Sequence, residues 1–256
     1  MRRGRLAVVG LGPGDSGLLP PLARTALENA TVVVGYKGYI DLVEAVHLQG
    51  KKVLSTGMMG EVERVNLAVD EAQAGGDVCM VCSGDPGIYA MAGLVLEALD
   101  TRGLLESVDF DVVPGVPAFC AAAAILGAPL MHDFAAVSLS DLLTPWEKIA
   151  KRLDAAADAD FVIAIYNPRS KKRAGHLEAA LEIIGGHRSP DTPVGIVGRA
   201  FRPGQLASIA TLATLDVNLV DMQTIVIIGN STTRVVGGHM LTPRGYHDKY
   251  DVGGGR

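Results

Sequence analysis

Short runs of consecutive apolar residues alternate along the chain with segments whose apolar positions recur every three or four residues. The first pattern predicts buried strands and the second amphipathic helices. Residues 5–10 (RLAVVG) read as a strand closed by a glycine turn, and residues 18–29 carry helical spacing. Strands are expected at 31–34 and 51–54, then a helix over 61–74 ended by Gly75-Gly76. Asp77–Cys82 is the next strand, helical spacing resumes over 88–99, and residues 109–113 form a further strand. Strands that are apolar at successive positions and joined through helices predict a largely parallel sheet covered on both faces.

A second cycle begins after Pro117. Residues 118–126 form a helix of small side chains, followed by a strand at 135–139. Thr144-Pro145-Trp146-Glu147 has the form of a capping box with proline at the first helical position, opening a helix to residue 155. A strand at 161–165, a helix at 173–185 and a strand at 192–197 follow. Strand-like runs at 206–210, 224–228 and 232–236 are then joined by short links, which predicts a mixed or antiparallel sheet. The expected organisation is therefore α/β: an N-terminal α/β domain over 1–115, a C-terminal α/β domain with a mixed sheet over 116–246, and a flexible tail over 247–256 whose Gly253-Gly254-Gly255-Arg256 end is frayed.

Composition narrows the class. The 256 residues allow one large or two compact domains, and 48% hydrophobic against 20% charged residues supply a substantial core. The net charge of −5 disfavours a general nucleic-acid binder. No apolar run approaches the ~18 residues of a membrane span. Met1-Arg2-Arg3-Gly4-Arg5 leads into a strand and does not read as a signal peptide. Three cysteines cannot all pair, so the expectation is a cytoplasmic α/β protein without a disulfide scaffold.

Candidate chemistry lies at the ends of the predicted strands. Gly10-Leu11-Gly12-Pro13-Gly14-Asp15 invites a dinucleotide reading, but Pro13 lacks an N–H and Asp15 would set its charge against a pyrophosphate. Strand two ends in Val34-Gly35-Tyr36, with no carboxylate for a ribose. A plain tight turn explains the segment equally well. Ser83-Gly84-Asp85-Pro86-Gly87-Ile88-Tyr89 is a good turn sequence at the carboxyl end of a strand, the end where ligands bind in open α/β sheets. There Asp85 offers a fixed carboxylate to a ligand with hydroxyls and an amine. Pro114-Gly115-Val116-Pro117-Ala118 is another turn into a helix of small residues, open to helix packing or to a flat ligand.

Tyr166-Asn167-Pro168-Arg169-Ser170-Lys171-Lys172-Arg173 is the main basic cluster, and Arg199 and Arg202 extend it. Such a run is usually a solvated helix start, yet cations at a helix N-terminus oppose the dipole, and a polyanion would relieve the mismatch. Cys79-Met80-Val81-Cys82 lies inside a strand, where residues three apart face opposite ways, so core packing is expected and no metal. The six histidines lack metal-ligand spacing, and His132 beside Asp133 is a weak catalytic candidate.

In order and spacing, Val9-Gly10-Leu11-Gly12-Pro13-Gly14, Ser83-Gly84-Asp85-Pro86 and Pro114-Gly115-Val116-Pro117-Ala118 resemble the tetrapyrrole (corrin/porphyrin) methylases, over residues 5–245. Val34-Gly35-Tyr36-Lys37-Gly38-Tyr39, Met131-His132-Asp133-Phe134, the stretch Ser138 to Trp146, and Tyr166-Asn167-Pro168-Arg169-Ser170 resemble the branch that methylates C-17 of precorrin-3B and contracts the ring to precorrin-4 for cobalamin. The resemblance implies two α/β domains of the class III methyltransferase kind with the active-site cleft between them, a homodimer, and S-adenosylmethionine as cofactor, leaving as S-adenosylhomocysteine. It implies cofactor contacts at Gly12, Pro13, Ser83, Gly84, Asp85, Ile88, Tyr89, Pro117, Ala118, Tyr166, Asn167 and Ala200.

The substrate it implies is a polycarboxylate tetrapyrrole, which Arg169, Ser170, Lys171 and Arg173 would meet through charge-assisted bonds. Ring contraction also needs proton movement, with Tyr36, His132, Ser138, Ser140 and Asp141 as candidates. Uroporphyrinogen-type members carry an acidic residue where this chain has Tyr36, so their proton-acceptor role does not transfer. A counterpart acting on a cobalt-containing precursor shares these motifs. A ribosomal-RNA or diphthine methylase of the same fold, and a non-catalytic nucleotide-binding module, are the remaining alternatives.

Overall fold

A computed structural model describes residues 3–170, 173 and 175–251. The chain divides into two compact units, Met1–Ala118 and Phe119–Arg256.

The first unit contains β1 (Gly4–Gly10), α1 (Pro21–Asn29), β2 (Val32–Tyr36), α2 (Lys37–Ile40), β3 (Lys52–Thr56), α3 (Glu61–Gln73), β4 (Asp77–Cys82), α4 (Ala92–Thr101) and β5 (Val108–Val113). Its five strands form a wholly parallel sheet in the order β3-β2-β4-β1-β5. Both faces are apolar because alternate positions serve opposite cores. Leu6, Val8, Val34, Val78 and Met80 pack under α3 and α4, whereas Ala7, Val9, Val33, Cys79 and Val81 pack under α1 and α2. That two-sided burial is why these strands read as continuous apolar runs. Cys79 and Cys82 fall in different cores. Burial pushes the Cys79 thiol up to about 12, the nearby Cys82 adding to the effect, and pushes Cys82 up to about 11. Both are inert core residues.

The second unit contains α5 (Ala118–Leu126), whose first residue is the last of the first unit, then β6 (Gly127–Ala128), β7 (Phe134–Ser138), α6 (Trp146–Asp158), β8 (Val162–Tyr166), α7 (His176–Gly185), β9 (Pro193–Gly198), β10 (Leu206–Thr211), β11 (Thr224–Ile228), β12 (Arg234–Val236), β13 (His239–Leu241) and α8 (Tyr246–Lys249). Its main sheet runs β10-β9-β11-β8-β7, with β7 and β8 parallel and the other pairs antiparallel. Ile163, Ile165, Ile196 and Val226 bury one face against Ile149 and Leu153 of α6 and Leu177 and Ile184 of α7. Across the other face, Gly195 leaves room for the Leu126 side chain of α5, which a Cβ there would meet head-on. A small sheet, β12-β13-β6, completes the unit.

Several boundaries differ from the sequence pattern, each for a local reason. The helix expected from residue 18 is a 3-10 turn, Ser16–Leu18, and α1 opens only at Pro21, because the residue before a proline is driven out of the helical region. The helix expected from residue 88 opens at Ala92, since Tyr89 is left-handed at φ 51°. The capping box at Thr144 does not form: Pro145 is itself the N-cap and no side chain caps α6, which runs on to Asp158. α7 opens at His176, not 173, because Ser170 to Arg173 closes a turn first. The strand expected over 232–236 is shorter and is half of a hairpin with β13 across Gly237-Gly238, both at positive φ. Tyr246–Lys249 is a helical turn where a flexible tail was expected from 247; the Gly253–Arg256 end lies outside the described residues.

Candidate active site

The chain leaves β1 to form α1 under one face of the first sheet, and leaves β4 to form α4 under the other. β1 and β4 are neighbours, so their carboxyl ends mark the point where connections diverge and a crevice opens. Here the glycine motifs meet. Gly12 and Gly84 exchange two backbone hydrogen bonds, of 3.1 and 2.7 Å, across 72 residues of sequence. Both are left-handed, at φ 70°. A Cβ on Gly10 would lie 2.6 Å from the Gly115 nitrogen and the Gly84 carbonyl oxygen, and one on Gly115 would collide with that same carbonyl. The three loops therefore touch backbone to backbone, which only glycine permits.

Asp85 is fixed, as the sequence implied, but by the protein itself. Its Oδ1 accepts from Gly87 N at 2.8 Å and its Oδ2 from Gly115 N at 3.1 Å, tying the β4 loop to the β5 loop. Asp15, the residue that spoiled the dinucleotide pattern, caps the 3-10 turn through Gly17 N at 2.7 Å. Gly12, Pro13 and Gly84 are buried beneath the loops, so they allow close approach more than they present a surface. Ser83, Asp85, Ile88, Pro117 and Ala118 are half-buried, and Tyr89 is exposed. Left-handed Tyr89 is the strained residue of this shelf.

Tyr36 stands at the carboxyl end of β2, two strands from β1. Its ring meets the edge of Tyr39 at 5.1 Å and carries the Arg64 guanidinium 5.9 Å from its centroid. Sequence reasoning passed over Arg64, an internal position of α3 that reads as an ordinary charge on an amphipathic helix.

In the second unit, five predicted residues gather at the carboxyl ends of β7 and β8. Asn167, left-handed at φ 49°, donates from Nδ2 to Ser138 Oγ at 2.9 Å, and the Ser140 N–H donates to the same hydroxyl at 3.2 Å. Arg173 donates to the carbonyls of Leu139 and Asn167 and lies 3.7 Å from Asp141. Asp141 also pairs with His176 Nε2 at 3.0 Å, and the His176 ring meets Trp146 edge-on at 4.7 Å. His176 was missed because the cations before it dominate the segment; its place at the first position of α7 was the available signal.

Other expectations change. His132 lies before β7, at the opposite end from Ser138, with its Nδ1 accepting from Asp133 N at 2.8 Å, so it does not join this network. The cations precede α7 and do not form its N-terminus. Arg169 donates to the Val217 carbonyl at 2.7 Å, so Arg169 and Arg173 already hold the chain together and are not free clamps. Ser170 closes the turn by accepting from Arg173 N, and Lys171 lies outside the described residues. The Tyr166 hydroxyl accepts from Phe119 N at the start of α5. Arg199 and Phe201 are both left-handed on either side of Ala200. Arg199 reaches Asp221 at 2.6 Å; burial pushes that carboxyl up, but the Gln223 N–H, the Thr224 hydroxyl and Arg199 together hold it below the ordinary carboxylate value. A groove of about 580 Å³ beside β10 contains none of the predicted residues. Among the described residues no helix is long and apolar enough to cross a membrane.

Residues 5–216 match the family described as the tetrapyrrole (corrin/porphyrin) methylases. A probable cobalt-factor III C(17)-methyltransferase of Salmonella typhimurium is 50% identical over 94% of this chain and 99% of its own length. A precorrin-3B C(17)-methyltransferase of a Sinorhizobium species is 44% identical over 91% of each. Among solved structures, the methyltransferase CobJ superposes with a TM-score of 0.89 at 39% identity, covering 94% of this chain and all of that one. A uroporphyrin-III C-methyltransferase of Thermus thermophilus, complexed with S-adenosylhomocysteine, gives 0.65 at 26% identity, covering 88% and 92%.

Proposed function

This chain belongs to the tetrapyrrole (corrin/porphyrin) methylases and is a methyltransferase, and from that premise we propose that it methylates C-17 of a cobalamin precursor with contraction of the macrocycle. S-adenosylmethionine supplies the methyl group when bound. The higher identity to the cobalt-factor III enzyme favours a cobalt-containing macrocycle over metal-free precorrin-3B, the substrate that the sequence motifs put first.

The observation that carries the reading is the glycine shelf at the β1/β4 divergence. It suits an uncharged nucleoside better than a pyrophosphate: Pro13 offers no N–H, and the β1 and β4 loops each carry a carboxylate, Asp15 and Asp85, that already takes up backbone N–H groups. In this reading Gly12, Pro13 and Gly84 let the cofactor approach the backbone, while Ser83, Asp85, Ile88, Tyr89, Pro117 and Ala118 line its place. In the same reading Ser138 and the Asp141–His176 pair hold or move a proton, Asp141 keeping the imidazole oriented and the Ser140 N–H supporting the Ser138 hydroxyl. A homodimer in the cytoplasm belongs to the same proposal.

The test is mass spectrometry of purified protein incubated with methyl-labelled S-adenosylmethionine and, in parallel, cobalt-factor III and precorrin-3B. One added methyl with the spectrum of a contracted ring is expected, faster on the cobalt-containing substrate. Folded protein that binds neither cofactor nor macrocycle refutes the reading.

A further inference from the structure

Arg64 is only 4% exposed, yet among the described residues no carboxylate lies within ion-pair distance of it. A cation taken out of water without a counter-charge is unfavourable unless something anionic completes its surroundings. Its neutral partners do not supply that. Nε donates to Thr56 Oγ1 at 3.0 Å, one Nη donates to the Gly57 carbonyl at 3.1 Å, and the other reaches only the thioether sulfur of Met91 at 3.8 Å. One N–H of each terminal nitrogen is left over. The Tyr36 ring against the guanidinium adds a weak quadrupole attraction and no hydrogen-bond acceptor.

The position is as telling as the charge. Tyr36 and Thr56 end β2 and β3, and Met91 closes the turn that begins at Ser83, so Arg64 is held where three carboxyl-end connections of the first sheet converge. The bond to exposed Gly57 lies nearer the surface than the other two, so that edge of the guanidinium is the one a ligand would reach. Beyond it the loop carries exposed Met58 and left-handed, exposed Met59, apolar side chains that suit the face of a macrocycle better than water.

Resting on the methyl-transfer reading, we propose that Arg64 is the carboxylate-binding cation of this site, taking one carboxylate of a bound ligand on its unused N–H pair. Two ligands of this enzyme carry such a group, the acid side chains of the tetrapyrrole and the amino-acid end of the cofactor. Arg64 orients whichever it holds against the glycine shelf, while Tyr36 and Thr56 keep the planar fork aimed.

Calorimetry on full-length wild type, R64K and R64Q distinguishes the sources. One arm titrates S-adenosylhomocysteine against methylthioadenosine, which lacks the amino-acid end. The other titrates cobalt-factor III against its methyl esters. Loss of roughly tenfold or more in the affinity of R64Q for one carboxylate ligand, with no loss for its carboxylate-free analogue and partial recovery in R64K, is expected. The affected arm names the source. Equal affinities of folded R64Q and wild type in both arms overturn the proposal and leave Arg64 a loop brace. If R64Q does not fold, the wild type decides: analogues binding as tightly as their parent acids overturn it. Failure of wild type to bind either parent ligand instead refutes the methyl-transfer reading.

Discussion

Replacing Gly115 with alanine tests whether the glycine shelf depends on backbone contact. The added Cβ would collide with the Gly84 carbonyl and approach Gly10, so the β5 loop must retreat. Retreat breaks the Asp85–Gly115 bond and strains the reciprocal Gly12–Gly84 pair. A hydrogen bond to a charged group is worth about 1.5–3 kcal/mol and each neutral backbone bond about 1 kcal/mol. G115A is therefore expected to lose about 3–5 kcal/mol, a large share of a typical domain's stability. The urea midpoint should fall by about 1–2 M, and calorimetry should find S-adenosylhomocysteine binding abolished. Gly93, at the second position of α4, is the control: a Cβ there meets nothing within 4 Å. G93A should bind normally and gain about 0.5 kcal/mol. A G115A protein with the wild-type midpoint and affinity would sink the argument.

Three further outcomes follow from the same geometry. Arg188, with a side chain 3% exposed, donates to the carbonyls of Ala157, Phe161 and Gly229; R188M should cost about 3 kcal/mol and lower the melting temperature by about 6–12 °C. Because the Asp221 carboxyl is held below its ordinary value, its contribution is present above the unfolded carboxylate pKa and vanishes as pH falls through the folded one. D221N should thus be less stable than wild type at pH 7 and equal to it in strong acid, in melts across that range; a pH-independent difference would contradict the assignment. A thiol reagent at pH 8 should modify only exposed Cys120 in the native protein, and Cys79 and Cys82 as well in urea.

What was legible in the sequence was whatever local rules govern. The two-sided apolar period of Ala7 to Val9 and of Val78 to Val81 announced a parallel sheet, and the Asp-Pro-Gly run at 85–87 announced a turn at its carboxyl end. The positions of helix starts were less legible where a single residue departs into left-handed backbone, as Tyr89 and Asn167 do. Packing imposes such a conformation on Tyr89 and leaves no signature in a tyrosine, whereas asparagine enters the left-handed region readily, so residue 167 did carry a signal. The roles of charged side chains were the least legible. Arg169 and Arg173 looked like a clamp for an anion, yet both are bound by carbonyls distant in sequence, whereas Arg64, by its pattern one more surface charge on α3, is buried with no acidic partner among the described residues. Only long-range contacts separate those cases.

The strand order carries a consequence for how the chain is made. β1 leaves the ribosome before the other strands of its sheet but pairs with neither of the next two; its neighbours are β4 and β5. At about 5–20 residues per second, the 72 residues from Gly10 to Cys82 imply a wait on the order of 4–14 s before its first partner emerges. Throughout that interval a run of leucine, alanine and valine has no sheet to join. The nascent β1 segment is thus a natural client for a holding chaperone, and the glycine shelf can assemble only once residue 115 has been translated.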